Sequence, residues 1–224
     1  MVKFMESELT QLKKQIFQMW DLVYHQLERA ERDVLTMDKE LANQVVVREK
    51  KVNAFELSID SDVEDIIALY NPVAIDLRFT LAMLKINNNL ERMGDFADRT
   101  ARFVMGCGAA EIDPILLKNL RLEEMSAQVL SMLSMAKKAL ENEDISLATS
   151  VLAKDNIVDE INARAPHALA EHIKQHPEDT LLCLGLLSVV RKLERAGDHI
   201  TNMAEEIVFF IDAKVLKHSG KKEE

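Results

Sequence analysis

Aromatic residues make up only 5% of this 224-residue chain, which also contains just 4 proline and 6 glycine residues. Sandwiches and barrels need many turns rich in glycine and proline, and their strands are enriched in aromatic and β-branched residues. Hydrophobic residues nevertheless account for 48% of the chain, with 11 methionines among them. The composition therefore argues against an all-β fold and favours an all-α protein with a sizeable core.

Long apolar runs and paired cysteines are also missing. The longest uncharged stretch, residues 180–190, is far shorter than the ~20 residues that a bilayer-spanning helix needs. The first ten residues, MVKFMESELT, are too polar for a secretory signal. Cys107 and Cys183 are isolated and show neither disulfide nor metal-site spacing. These absences predict a cytoplasmic protein.

Basic residues are in the minority, since 28 Lys and Arg stand against 38 Asp and Glu, for a formal charge of −10. Nucleic-acid-binding surfaces show clusters of basic residues, which this chain lacks. The charge instead fits a cationic ligand or partner.

Apolar residues recur every three to four positions through nearly the whole chain, as in long amphipathic helices. We expect six helices forming two tandem three-helix bundles, with Pro72 opening the third helix and the sixth ending near Ala213. The predicted domains are residues 1–108 and 109–215, followed by a frayed, charged tail at 216–224. The remaining helix boundaries are predicted from capping and breaking residues at Asp38, Asn71, Gly106–Gly108, Asp113–Pro114, Asn142–Asp144 and His176–Pro177.

A repeated hexapeptide shows that the chain is an internal duplication. LERMGD at 90–95 recurs as LERAGD at 193–198, a shift of 103 residues, and upstream segments align with a shift of 106. Each copy places a carboxylate, a glycine and a second carboxylate at i, i+3 and i+4, so that both acids lie on one helix face. A repeat that preserves two acids and a glycine suggests duplicated sites as well as duplicated architecture.

The second helix of each half carries a matching acidic stripe, which consists of Glu49, Asn53, Glu56 and Asp60 in the first half and of Asp155, Asp159 and Asn162 in the second. If the second and third helices lie antiparallel with these stripes facing, several oxygen-bearing side chains converge in each half. Such crowded carboxylates repel one another and are stabilised by a cation, so we predict a metal site in each half. The predicted ligands are Glu49, Glu91, Asp95 and Asp98 in the first half, and Asp155, Asp159, Glu194, Asp198 and Asn202 in the second.

A plainer interpretation stays open, in which the acids are solvated helix faces balanced by neighbouring arginines. The halves also differ. Asn53 stands where the second half has Asp159, and Arg99 stands where it has Asn202. The first-half site is therefore expected to hold fewer metal ions or to bind them more weakly.

Two three-helix halves with a Leu-Glu-Arg-x-Gly-Asp run on each third helix resemble the PhoU family of phosphate-signalling regulators. The resemblance extends from Pro72 and Asp76–Arg78 into LERMGD, and in the second half continues beyond His199 to Asn202 and Ala204. It covers almost the whole chain.

The resemblance implies an all-α cytoplasmic protein that represses phosphate uptake and phosphate-starvation signalling. Its implied partners are the ATPase of the phosphate ABC transporter and the membrane sensor histidine kinase. It further implies multinuclear iron, zinc or other divalent metal clusters on the acidic faces. The duplicated, elongated shape predicts a homodimer, although the sequence fixes no interface.

Two other classes of function remain as alternatives to this non-enzymatic, metal-binding adaptor. A di-iron carboxylate enzyme needs Glu-x-x-His pairs on two helices, and no glutamate of this chain is followed three residues later by histidine. A metal-free helical scaffold or chaperone would use the acids only for solvation. Metal content after purification without chelator separates the scaffold from the adaptor.

Overall fold

The computed structural model describes residues 2–213; the tail predicted at 216–224 lies outside the described residues. Within them the chain forms seven α-helices and no strand. Their bounds are α1 (Val2–Thr36), α2 (Lys39–Tyr70), α3 (Ala74–Gly106), α4 (Pro114–Leu120), α5 (Leu122–Asn142), α6 (Ile145–Gln175) and α7 (Thr180–Asp212), with a 3₁₀ helix (Pro177–Asp179) before α7.

Aspartates cap three of these helices at the places that the sequence indicates. The Asp38 carboxylate accepts hydrogen bonds from the backbone N–H groups of Glu40 and Leu41 at 2.9 and 3.0 Å. Asp113 and Asp144 similarly accept bonds at the starts of α4 and α6. A capping carboxylate satisfies backbone donors that have no partner within the helix, which fixes where each helix begins.

Two boundaries differ from the prediction. The expected fourth helix is divided at Arg121, whose backbone is left-handed with φ of 51°, so the six expected helices become seven. The Arg121 side chain donates hydrogen bonds to Glu124, on the following turn, and to Glu160 of α6, 39 residues away in sequence. The third helix begins at Ala74 rather than Pro72, because Pro72 lies in a turn that starts at Asn71 with φ of 48°.

The helices form two three-helix bundles packed side by side, α1–α3 and α5–α7, with α4 against α6. The bundles share one continuous hydrophobic core. Between them, α1 packs against α5, where the Trp20 indole N–H donates to the Leu133 carbonyl at 3.2 Å.

The third helices of the two halves, α3 and α7, also pack against each other, and they run antiparallel. Phe79 meets Phe210 near one end, and Phe103 packs onto Gly185 near the other. The repeated motifs therefore cross near the middle of the molecule, related by an approximate two-fold axis. None of the described helices is long and apolar enough to cross a membrane.

Candidate metal sites

The first acidic face lies between α2 and α3 and consists of Glu49, Glu56, Glu91, Asp95 and Asp98. Glu49 and Asp98 are the most buried of these residues, each with 8% of its surface exposed. Burial, followed by the charges of Asp95, Asp98 and Glu91, raises the pKa of Glu49 to about 7. The antiparallel packing of the two helices thus places the predicted carboxylates of the first half on one shared face.

Several oxygens of this face are buried without a hydrogen-bond partner of normal geometry among the described residues. They are both carboxylate oxygens of Glu49 and Oδ1 of Asp98. The amide of Asn53 lowers the pKa of Glu49, but its alignment does not satisfy either oxygen. A buried carboxylate without partners is destabilising unless it is protonated or bound to a cation.

Two arginines on α3 supply positive charge to the first acidic face. Arg102 Nε donates to Asp98 Oδ2 at 2.7 Å, and Arg99 Nη2 donates to Asp95 Oδ2 at 3.3 Å. Both pairs are spaced i, i+4 on the helix surface, where such pairs form readily. The first acidic face is therefore partly neutralised by its own helix.

The second acidic face lies between α6 and α7 and consists of Asp155, Asp159, Glu194 and Asp198. Burial and the charges of Asp159, Asp198 and Glu194 raise the pKa of Asp155 to about 7. Asp155 Oδ1 is buried without a hydrogen-bond partner. The charges of these predicted residues thus act on Asp155, as the charges of Asp95, Asp98 and Glu91 act on Glu49.

No described lysine or arginine forms an ion pair with Asp155, Glu194 or Asp198. The positions equivalent to Arg99 and Arg102 are Asn202 and Glu205, by the same shift of 103 residues. The second face therefore has no arginines at the positions equivalent to Arg99 and Arg102, although the charge of Arg195 acts on Glu194.

Each motif glycine lies where the second helix of its half closely approaches the third helix. A Cβ atom at Gly197 would lie 2.5 Å from Asp155 Oδ1, and one at Gly94 would lie 2.9 Å from Val52 Cγ1 and 3.5 Å from Glu49 Oε2. A glycine within a helix is less favourable than alanine by roughly 1 kcal/mol. Close approach of the second and third helices explains why both glycines are present.

Two residues qualify the predicted ligand sets. Glu56, in the predicted stripe but outside the predicted set, belongs to the first face, since burial, Asp60 and Asp95 raise its pKa. Asn202 is exposed and lines the groove between α3 and α7 with Lys85 and Asn89. Among residues 4–213, no three carboxylate, histidine or cysteine side chains already stand close enough together to hold a metal ion.

Comparison with known proteins identifies the family. Residues 16–104 and 122–207 match the model of the PhoU domain. The chain is 31% identical over 212 residues to the phosphate-specific transport system accessory protein PhoU homolog 1 of Thermotoga maritima, covering 95% of this chain and 90% of the relative. It is 32% identical over 217 residues to the PhoU homolog of Xylella fastidiosa, covering 96% of this chain and 89% of that relative.

A solved structure agrees with the sequence relatives. The crystal structure of PhoU from Pseudomonas aeruginosa superposes with a TM-score of 0.86 at 28% identity, over 93% of this chain and 99% of that one. Both halves and the bundle architecture therefore agree with one family, and the chain belongs to the PhoU family.

Proposed function

We propose that this chain is a non-catalytic cytoplasmic adaptor that represses phosphate uptake and phosphate-starvation signalling. It would contact the ATPase of the phosphate ABC transporter and the sensor histidine kinase, as a homodimer. Relatives that align with nearly its whole length are named as accessory proteins of phosphate-specific transport. That full-length similarity carries the regulatory part of the proposal.

The second part of the proposal is that both acidic faces bind divalent metal ions. The observation that supports it is a pair of carboxylates with buried oxygen atoms, those of Glu49 and Asp155, at equivalent places in the two halves. Each has buried oxygen without a hydrogen-bond partner and a pKa raised to about 7. A cation opposite these groups would satisfy the oxygens and remove the repulsion.

The donor set limits the kind of ion. All nine predicted ligands offer oxygen, which suits hard cations and, where carboxylates bridge, iron or zinc. Because the side chains are not already gathered, binding would require carboxylates to rotate toward a shared ion. The bound ions would supply positive charge that offsets part of the −10 and creates a docking surface.

Disruption of the gene tests the regulatory part. Alkaline phosphatase, or another output of phosphate starvation, should rise in phosphate-rich medium when the gene is disrupted, and should fall again when the gene is restored. An unchanged output would remove the repressor function and leave a helical scaffold.

Metal analysis of the purified protein tests the second part separately. Protein prepared without chelator should contain divalent metal by mass spectrometry, and chelator should remove it and lower the melting temperature. Absence of metal under both preparations would favour the metal-free adaptor, provided that gene disruption still raises the starvation output.

A further inference from the structure

Four helices, α1, α3, α5 and α7, line a mainly apolar pocket between the two bundles. It contains about 380 Å³ of space, part of which is open to solvent. Ala97, Val189 and Ala196 are buried in its lining, whereas Glu31 and Lys192 are partly exposed and so lie toward its open side. Pockets that hold small organic molecules usually measure roughly 300–1,000 Å³, and this one lies at the lower end of that range.

The internal duplication explains why this pocket exists. A shift of 106 residues for α1 and α5, and of 103 for α3 and α7, relates it to an equivalent place between the same four helices. At four buried positions the pocket has a smaller residue than that place, where each counterpart is fully buried. The pairs, with the pocket residue first, are Ser126 and Trp20, Ala97 and Ile200, Thr100 and Met203, and Ala196 and Met93.

Two lining residues partly offset this difference in size. Phe96 and Lys192 are larger than their counterparts, His199 and Asn89. The pocket is therefore narrowed from the sides of α3 and α7, and it suits a short branched chain better than a large ring system.

Trp20 shows what kind of group the equivalent place accommodates. Its indole is completely buried, and its N–H donates to the Leu133 carbonyl at 3.2 Å. Leu27, the counterpart of Leu133, lines the pocket, and there the small side chain of Ser126 stands where Trp20 stands in the duplicate. Apolar atoms that line an unfilled space lack contact partners, so an apolar group that entered would restore those contacts.

Glu31 gives the open side of the pocket a negative charge. Burial and the charges of Glu123 and Glu28 raise its pKa to about 7. Lys192, the basic residue of the lining, donates to the carbonyl and the hydroxyl of Ser188, one turn earlier on α7, at 3.3 and 2.6 Å. A half-buried carboxylate among like charges is stabilised by a cation.

We infer that this pocket binds a small molecule with a compact apolar group and a protonated amine. The apolar group would pack against Ala97 and Ala196, and the amine would donate to the Glu31 carboxylate. The three acids at the open side disfavour an anionic ligand of the same shape. This ligand site goes beyond phosphate regulation and metal binding, and it depends on neither.

A nuclear magnetic resonance titration of the ¹⁵N-labelled full-length protein with isopentylammonium tests the inference. It is carried out in chelator at pH 8, where most of Glu31 is ionised and the amine is protonated. Saturable shifts should appear at the backbone amides of Ala97, Thr100, Ser126 and Ala196, with a dissociation constant of about 1 mM.

Two ligands with the same carbon skeleton isolate the contribution of the charge. Isopentanol lacks the charge and should bind about tenfold more weakly than the amine, because a hydrogen bond to an ionised group is replaced by a neutral one. Isovalerate carries the opposite charge and should give no saturable shift at these amides.

Two variants fill the pocket with the residues that the duplicate already uses. A196M copies Met93, and T100M copies Met203, so each adds a side chain that the equivalent place accommodates. Each should weaken binding of the amine by about tenfold or more while circular dichroism shows unchanged helicity. If one of them does not fold, the other gives the same test from a different helix.

A third variant tests the carboxylate without changing the size of the pocket. E31Q should bind the amine about tenfold more weakly than wild type and should bind isopentanol as wild type does. E64Q removes an exposed glutamate from α2, outside the lining, and should leave both affinities within about twofold of wild type.

Three results would each overturn the inference. The first is the absence of saturable shifts at the four lining amides of the wild-type protein. The second is equal affinity for the amine, the alcohol and isovalerate, or equal affinity of E31Q and E64Q for the amine. The third is binding of the amine by the folded A196M or T100M variant as tightly as by wild type.

Discussion

The two acidic faces have equivalent positions in the duplicated fold but different sources of positive charge. In the first, Arg99 and Arg102 pair with Asp95 and Asp98 on the same helix. In the second, Asn202 and Glu205 stand at the arginine positions. Glu49 is buried and Asp155 is half-buried, and both have pKa values raised to about 7.

This difference shows how duplication can separate two roles. Two carboxylates of the first face are paired with arginines of their own helix, whereas the second face has Asn202 and Glu205 at the positions of those arginines. A metal ion arriving at the first face must compete with guanidinium groups for Asp95 and Asp98. We therefore expect the second face to bind divalent metal more tightly than the first.

Removal of the carboxylates from each face in turn should give the largest effect. The D155N/D198N variant should lose metal affinity at the second face by at least about 100-fold, because two charged ligands are replaced by neutral ones. The equivalent first-face variant, E49Q/D95N, should lower total bound metal much less. Mass spectrometry of metal content and titration calorimetry would measure both; equal losses would contradict the ranking of the two faces.

The pH dependence of stability allows Glu49 of the first face and Asp155 of the second to be compared directly. In metal-free protein, the folded-state pKa of Glu49 and Asp155 is about 7, against ordinary values of 4.5 and 3.8. The folded state therefore binds more protons than the unfolded state between about pH 4 and 7, so the free energy of unfolding falls as pH rises through that window. Above about pH 7 these two groups no longer make the free energy of unfolding depend on pH.

E49Q and D155N should each remove part of this slope. Each variant should be more stable than wild type above pH 7 by on the order of 1–3 kcal/mol, since the amide has no charge to bury. Urea unfolding in chelator at pH 5 and 8 would measure this difference in the free energy of unfolding. Using the difference from wild type removes the contribution of buried Asp33, whose pKa is raised to about 8. A variant whose slope equals that of wild type would show that its carboxylate is not buried in charged form.

Most of the fold follows from local signals in the sequence. Asp38, Asp113 and Asp144 are side chains that cap helices, and the breaks at residues 71–72 and 176–177 contain proline. The break at Arg121 has no such signal, because arginine rarely adopts positive φ and is held there by Glu124 and Glu160. The contact with Glu160 joins residues 39 apart in the chain, so no local sequence pattern indicates it.

The acidic faces are predictable to the extent that helical spacing and antiparallel packing determine them. The i, i+4 stripes place Glu91 with Asp95 and Glu194 with Asp198, and the packing brings Glu49 and Asp155 opposite them. The rotation of each helix about its own axis determines which further side chains belong to a face. It sets Glu56 within the first face and Asn202 along the groove between α3 and α7, and spacing alone does not give that rotation.

Introducing an arginine at the second face should make it resemble the first. In N202R the new guanidinium would stand one turn beyond Asp198, as Arg99 stands beyond Asp95, and would compete with metal. We expect about a tenfold loss of metal affinity at the second face, measured by calorimetry. The reciprocal variant, R99N, should strengthen binding at the first face. If both variants left affinity unchanged, the arginines would not be the cause of the difference between the faces.

Alanine at the motif glycines should have the smallest effects, of different kinds in the two halves. At Gly197 the added Cβ meets only the end of the Asp155 side chain, at 2.5 Å, which can rotate away. The gain in helix propensity, roughly 1 kcal/mol, should then leave G197A at least as stable as wild type without metal. Displacement of Asp155 should nevertheless weaken metal binding by a few-fold, about 1 kcal/mol or less.

At Gly94 the added Cβ meets Val52, which is fully buried and cannot rotate away without disturbing the core. G94A should therefore be destabilised by about 1 kcal/mol after the propensity gain is counted, with little change in metal affinity at the first face. Urea unfolding and calorimetry on the two variants would separate these effects. The added Cβ meets a carboxylate in the second half and a valine in the first. If G94A lost metal affinity and G197A did not, this assignment would be reversed. Metal binding would then depend on the space beside Glu49 rather than on the space beside Asp155.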